Sequence, residues 1–303
     1  MAMNLHLLRI FHAVAEQQSF SRAAEALFIS QPAVSKGVRQ LERQLGLALL
    51  ERAPEGTHGR GVRLTQAGEA LLGHAHSIFA LEKAATEEIR ARVGLARGRL
   101  TIGASTTVAA YWLPPYLVEL ATRHPSIEIS VRVANTEMIA HAVMECSVDF
   151  AAVEGAVSDA RIVATHWRDD PLEIAVPPDS PLLRRRAPTT QELSAQTWLL
   201  REPGSGTRAV AEQLLSSRHI TPARTIELGS NEGIARAVAT GLGVAILPTR
   251  VIRELMALEA VRTLELRPAE RLLRPLYLLQ LKGRPPSPLL RAAFELLSRG
   301  KDR

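Results

Sequence analysis

Residues 29–46 read ISQPAVSKGVRQLERQLG, and the fold turns on them. Ser30 stands where a helix N-cap belongs, and Pro32 falls in the first turn, where its missing N–H costs nothing. Val34, Val38, Leu41 and Leu45 recur at 4-3-4 spacing, the inner stripe of a helix. Gln31, Ser35, Lys36, Arg39 and Arg43 fall on the opposite face, and Gly46 is a C-terminal stop.

Upstream, residues 4–18 (NLHLLRIFHAVAEQQ) place Leu5, Leu7, Leu8, Ile10, Phe11, Val14 and Ala15 at helical spacing over a broad apolar face. In SFSRAAEALF, Ser19 or Ser21 can cap a second helix, whose inner face of Ala23, Ala24 and Leu27 admits close approach of another helix. Two short helices thus meet through a few linking residues, the second with a polar, basic outer face. That is a helix-turn-helix, whose second helix enters the major groove. Periodicity alone also allows a three-helix bundle with a solvated basic face. The downstream sequence favours the first reading. LALLER and GVRLT are strand-like pieces around APEGTHGR, a hairpin wing tipped with glycine, His58 and Arg60. From Thr65, a possible cap, about thirty residues run without proline, with Leu71, Leu72, Ile78, Leu81 and Ile89 as an apolar stripe. A helix of this length with little globular context is a dimerising linker. Gly37 breaks the pattern, since glycine inside a helix costs up to ~1 kcal/mol against alanine. A close packing contact would account for it.

FHAVAEQQSFSRAAEALFISQPAVSKGVRQLERQLGLALLER and RLTQAGEALL together resemble the LysR-type transcriptional regulators of bacteria, over the whole module at fixed spacing. The resemblance implies double-stranded DNA as partner. Gln31 would offer its amide to an adenine edge and Pro32 would touch a thymine methyl. Ser35 and Lys36 would reach bases or phosphates, whereas Ser30, Arg39, Arg52 and Arg63 would hold phosphates. Arg60 would enter the minor groove, and Arg43 is a solvated or salt-bridged helix residue. The resemblance further implies contact with RNA polymerase and a homodimer or homotetramer.

Beyond GLARGRLTIGAS the texture changes to alternating strands and helices. RLTIGA is a strand, TVAAYWLPPYLVELATRHP a helix broken at Pro114–Pro115, IEISVRVA a period-two strand, NTEMIAHAVMECS a helix and VDFAAVEG a buried strand. This rhythm implies parallel pairing with right-handed crossovers. A second lobe begins near PLEIAVPPDSP, and the chain returns through RPLYLLQLKG to a closing helix, SPLLRAAFELLSRG. Two lobes joined by two crossings make a hinged cleft, as in the periplasmic-binding-protein-like effector domain of the same family. The expected fold is therefore α+β and multidomain. A winged helix-turn-helix occupies 1–64, a linker helix 65–95 and a two-lobed α/β effector domain 96–303. Lobe I takes about 99–170 and 275–303, lobe II about 171–274.

In REPGSGTR, residues 201–208, the chain leaves the strand TWLL, turns on Gly204 and Gly206 and opens a helix near Ser205–Thr207. Free N–H groups and a positive dipole end then face outward, and glycine lets a ligand reach the backbone. Ser105, Thr106 and Thr107 open a helix in lobe I in the same way, so two helix N-termini could face each other across the cleft, an arrangement suited to a small anion. Thr136 and Asn231, at two further strand-to-helix turns, are ligand contacts or N-caps, and Asn135 and Ser230 beside them are N-caps. Arg201 either pairs with a bound carboxylate or sulfate, or salt-bridges Glu202 or Glu154, and Glu202 joins the candidate site. REPGSGTR and GLGVAILP resemble the branch of the family that regulates sulfur assimilation and carbon fixation, whose effectors are small anions.

Enzyme motifs are missing. GSGTR lacks the lysine of a P-loop, GLGVAILP lacks the third glycine of a dinucleotide fingerprint, and no GxSxG or HExxH occurs. His74 and His76 lie on different faces of a helix and do not make a metal pair, and Asp169 and Asp170 read as a turn before the lobe crossing. Neither catalysis, nor a cofactor, nor a metal is expected. Of the 303 residues 46% are hydrophobic and 22% charged, ordinary for a soluble globular chain, and a net charge of +6 with a pI of 10.1 favours an acidic partner. No run spans a bilayer and the N-terminus lacks signal-peptide character, so a cytoplasmic protein is expected. Cys146, the single cysteine, excludes an internal disulfide and reads as a buried structural thiol. The alternative from another class is a small-molecule binding protein whose N-terminal module makes protein contacts.

Overall fold

A computed structural model describes residues 3–51, 62–92, 98–184, 187–266, 271–284 and 286–299. The chain divides into two compact units, Met1–Thr86 and Glu87–Arg303.

The first unit is built from α1 (Leu5–Gln17), α2 (Phe20–Leu27), α3 (Gln31–Leu45) and the beginning of α4 (Gln66–Arg92). Asn4 caps α1 by accepting from the His6 and Leu7 amides, and Ser19 caps α2 by accepting from Arg22. Leu8, Phe11, Val14, Ala23, Val34 and Leu41 form the core, against which Leu71 and Leu72 of α4 pack. Gly37 sits where α3 crosses α1, and a Cβ there would come 2.7 Å from Ile10 Cδ1. The close contact expected from the sequence is thus the reason for this glycine. Leu45 is a correction: it lies one turn beyond the α1 contact and is 38% exposed, outside the inner stripe.

After α3 the carboxylate of Glu42 accepts from the Leu49 and Leu50 amides and fixes the exit of the chain. Of the two expected wing strands, the described residues show one antiparallel bridge, Leu50 to Leu64. The wing tip with His58, together with Arg52 and Arg60, lies outside the described residues. Thr65 caps α4 by accepting from the Gly68 amide, while its hydroxyl donates to the Ala48 carbonyl. Leu81 and Ile89 of the predicted stripe stand exposed.

In chain order the second unit holds β1 (Arg99–Ser105), a π-helical turn (Val108–Trp112), α5 (Pro114–Arg123), β2 (Glu128–Ala134), α6 (Thr136–Met144), β3 (Phe150–Glu154) and β4 (Ile162–Val176). There follow α7 (Thr190–Ser194), β5 (Thr197–Leu200), α8 (Gly206–Ser217), β6 (Arg224–Glu227), α9 (Asn231–Ala239), β7 (Ala245–Pro248), α10 (Thr249–Ala257), β8 (Arg262–Leu264), β9 (Leu272–Leu281) and α11 (Pro288–Arg299). The main sheet runs β2-β1-β3-β9-β4-β7, with β8 also on β4. β1 pairs in parallel with β2 and β3, as the sequence rhythm implies. β4 and β9 are long antiparallel partners that run from one lobe into the other, with a register shift between His166 and Arg168. Lobe II adds the parallel pair β5-β6, tied to β7 by the Trp198–Val244 bridge.

Lobe I buries Leu100, Ile102, Phe150, Trp167, Leu278 and Leu297 on one side of its sheet and Ile139, Val143, Ala151 and Val153 under α6 on the other. Lobe II buries Trp198, Leu214 and Ile246 on one side and Ile234, Val238 and Ile252 on the other. Two expectations need correction. Asp169 and Asp170 are not a turn but lie within β4, where strand alternation leaves Asp169 exposed beside His166 and buries Asp170 completely. Cys146 is half-buried, because the chain leaves α6 there in a left-handed turn (φ 55). Among the described residues no helix is long and apolar enough to cross a membrane.

Candidate DNA-reading surface and inter-lobe cleft

On α3 the apolar stripe against α1 turns the other face outward. Gln31, Pro32, Lys36, Arg39 and Arg43 are exposed and Ser35 is half-buried. They line one side of an open groove of about 990 Å³ whose far end is the turn at Gly46–Ala48. Gln31 Nε2 donates to Ser35 Oγ at 3.0 Å, one helical turn on, which holds the amide along the groove face. Ser30 occupies the N-cap position, but its hydroxyl makes no capping bond, contrary to the expected role. The first amides of α3 and the Ser30 hydroxyl therefore remain available to an outside acceptor, and phosphate is the natural one at a helix N-terminus. Arg63 is exposed and its carbonyl accepts from the Glu51 amide, which fixes the strand that carries it. Glu42 went unnoticed in the sequence. Its role is visible only once the chain after α3 folds back onto its carboxylate.

In the second unit the structure gathers most of the residues predicted from the strand-to-helix turns. Ser105, Thr107, Thr136, Arg201, Ser205, Thr207 and Asn231 are all buried. Asn231 Nδ2 donates to Thr107 Oγ1 at 2.9 Å and to Thr207 Oγ1 at 3.3 Å, so one amide holds the helix starts of both lobes. Thr207 Oγ1 accepts a second bond, at 2.7 Å, from Arg274. With both lone pairs of Thr207 Oγ1 engaged, its hydroxyl proton is left to donate. Ser105 Oγ, Ser205 Oγ and Asn231 Oδ1 are buried without a hydrogen-bond partner among the described residues. These three atoms keep hydrogen-bonding capacity that no described residue uses.

Other candidates have internal duties. Arg201 forms a bidentate pair with Glu202, at 2.8 Å for each bond, and donates to Thr106 Oγ1 at 3.2 Å. Burial alone would raise the Glu202 carboxyl, but hydrogen bonds from Arg201, the backbone and Asn135 outweigh it and hold the group below its ordinary value. Thr136 donates to the Glu154 carbonyl at 2.7 Å, while Asn135 and Ser230 cap their helices. At Gly206 a Cβ would collide with the main chain of Glu154, so the approach this glycine permits is taken by lobe I itself. Thr136, Ser205 and Gly206 also line an open cleft of about 540 Å³ beside α6 and α8.

The sequence reading missed Arg274. It is fully buried at the crossing between the lobes and pairs with Asp170 opposite it on β4 and with Glu154 at the end of β3. An arginine among the apolar residues of a predicted strand was the available signal. Its partners lie far away along the chain and could not be read from spacing.

Known proteins match both units. Residues 5–69 match the family model described as "Bacterial regulatory helix-turn-helix protein, lysR family", and residues 94–301 match "LysR substrate binding domain". The HTH-type transcriptional regulator CysL of Bacillus subtilis (strain 168) is 33% identical over 252 residues, 83% of either chain. The RuBisCO operon transcriptional regulator of Allochromatium vinosum is 35% identical over 252 residues, 83% of this chain and 82% of that one. The structure of the Synechocystis PCC6803 CcmR regulatory domain in complex with 2-PG is 27% identical with a TM-score of 0.62, over 68% of this chain and 99% of that one.

Proposed function

The chain belongs to the LysR-type family of transcriptional regulators, and from that premise we propose that it reads DNA through α3 and answers to a small anion held between its lobes. It is a DNA-binding transcriptional regulator with an effector-binding domain. Gln31, Pro32, Ser35 and Lys36 read base edges in the major groove, and Ser30, Arg39, Arg52 and Arg63 hold phosphates. Arg60 reaches the minor groove. The helix from Thr65 pairs two subunits over a dyad-symmetric site, as a homodimer or a homotetramer, and effector binding alters contact with RNA polymerase. The chain performs no catalysis.

The observation that carries the effector reading is the pair of orphaned hydroxyls, Ser105 Oγ in lobe I and Ser205 Oγ in lobe II; Asn231 Oδ1, which only accepts, would meet a protonated oxygen of the ligand or a water. Hydroxyls donate, as do the Thr107 and Thr207 side chains on the shared Asn231 amide and the first N–H groups of α8. Such a donor set favours an acceptor-rich anion, in line with the 2-PG bound by the CcmR regulatory domain. Thr106, Thr136, Arg201, Glu202 and Gly206 complete the walls.

Replacing both orphaned hydroxyls, Ser105→Ala with Ser205→Ala, tests this reading. Removal of two unsatisfied buried groups should raise the melting midpoint of the ligand-free protein by a few degrees. The same change should abolish the thermal shift produced by the effector while leaving operator affinity intact. A lower midpoint with an undiminished effector shift would place the ligand elsewhere.

A further inference from the structure

On α1, His12 and Glu16 are one helical turn apart and share a face. α4 brings His76 against them, and one nitrogen of each histidine and a carboxylate oxygen all lie within 4.8 Å of one another. His76 Nε2 stands 2.9 Å from Glu16 Oε1. The imidazoles of His12 and His76 meet edge to face at 4.9 Å between centroids. His76 is 5% exposed, His12 is half-buried and Glu16 faces solvent, so the cluster is walled on one side and open on the other. The nearby cation is already engaged, because Arg9 lies over the Phe79 ring and pairs with Glu82.

We propose that His12, Glu16 and His76 form a divalent metal site, for zinc in the first instance, that fastens α1 to α4. Two imidazoles and one carboxylate are a ligand set that zinc takes with a fourth, water-filled position, whereas magnesium and calcium call for oxygen donors. Zinc–nitrogen bonds of about 2.0–2.1 Å in a tetrahedron put donors about 3.3 Å apart. The observed spread, within 4.8 Å with His76 and Glu16 already 2.9 Å apart, closes to that by small side-chain rotations of the three ligands. On binding, His76 presents Nε2 to the metal as the neutral tautomer protonated on Nδ1, so the imidazole gives up no net proton, and Glu16 ligates as its carboxylate. All three ligands lie in the unit that carries the reading helix, so occupancy would brace α1, on which α3 packs, against the start of the linker helix.

The test uses the full-length untagged chain, stripped with EDTA, dialysed and titrated with Co²⁺ while the visible spectrum is recorded. The expected result is saturation at one Co²⁺ per chain with the intense absorption of a four-coordinate site, bleached by added Zn²⁺. His12→Gln and Glu16→Gln should each weaken Co²⁺ binding by about tenfold or more. Glu16 is exposed, so Glu16→Gln retains the fold and decides the matter even if the histidine variant does not fold. Absence of a saturating four-coordinate spectrum, or a Glu16→Gln protein that binds Co²⁺ as the parent does, would overturn the proposal.

Discussion

Replacing Asn231 by aspartate changes charge at the centre of the cleft with almost no change in shape. Asn231 Nδ2 lies 2.9 and 3.3 Å from the Thr107 and Thr207 hydroxyl oxygens. Both hydroxyls can turn their protons onto the new carboxylate, so the packing survives, but each proton so turned is one the anion loses. An anion oxygen in the place where these hydroxyls hold it in the parent, at about 2.7 Å, would sit about 5 Å from the carboxylate. At an effective dielectric of about 20, two negative charges at that distance repel by about 3.3 kcal/mol, or about 250-fold in affinity. The site is buried, which lifts the carboxyl pKa and protonates a fraction of it, so a loss of about 30- to 250-fold is expected. The assay is calorimetric titration with whichever of inorganic sulfate, inorganic phosphate and 2-phosphoglycolate raises the melting midpoint of the parent. Circular dichroism and operator binding serve as controls for folding. A variant that binds the same anion within threefold of the parent would refute the reasoning, as would a parent protein indifferent to all three probes.

Gly37→Ala should be close to neutral or destabilising in the parent. The ~1 kcal/mol gained in helix propensity is set against the clash with Ile10 Cδ1 at 2.7 Å. In an Ile10→Val background that atom is gone, and urea denaturation should show the alanine stabilising by about 0.5–1 kcal/mol; equal effects in both backgrounds would disprove the contact. Gln31→Ala should cost about 1–3 kcal/mol at particular base positions, whereas Arg39→Ala should weaken all sequences alike and lower the salt slope by about one, as read from operator-variant binding at several salt concentrations. Burial, seconded by the charges of His76 and Arg9 and opposed by Glu16, holds His12 down at about 4, against an ordinary value of 6.5. A depressed histidine contributes stability that is complete above its unfolded value and is lost as pH falls from about 6.5 toward about 4. Denaturation of the metal-free protein should therefore weaken by about 2–3 kcal/mol over that window, and a flat profile would contradict the burial of a neutral imidazole. Arg274→Met leaves Asp170 and Glu154 buried without their cation and should destabilise the effector domain by about 3–5 kcal/mol in thermal or chemical unfolding.

The local signals were legible. Helix periodicity, the caps at Ser19 and Thr65, the stop at Gly46 and the turn at Gly204–Gly206 all act within a few residues, so the sequence displays them directly. Opening the strand-to-helix turns as candidate sites brought together Thr107, Thr207 and Asn231, because a parallel α/β lobe places all such turns at one edge of its sheet. What escaped detection depends on pairs remote in the chain. Asp170 looked like part of a turn because its neighbour Asp169 is exposed, and only the β4–β9 register sets it opposite Arg274. His76 was weighed against His74, two residues away, when its real neighbours are His12 and Glu16 on another helix. Leu45 failed for a related reason: periodicity states which face a residue is on, but not how far along that face the neighbouring helix extends.

The two long strands β4 and β9 carry a mechanical consequence. Among the described residues they are the two strands that belong to both lobes, and they remain hydrogen-bonded to each other from Ile162–Leu281 to Leu172–Leu272. A two-stranded ribbon flexes across its face at little cost, but sliding along its length would break the whole ladder at once. The Asp170–Arg274 pair lies within that ladder and acts as a rivet against slip. Sliding of one lobe past the other is thereby disfavoured, while bending and twisting of the ribbon stay open, with the register shift between His166 and Arg168 as its soft point. A ligand that fills the cleft therefore acts on the domain by tilting one lobe against the other and not by shearing them, which makes the ribbon a hinge and not a slide.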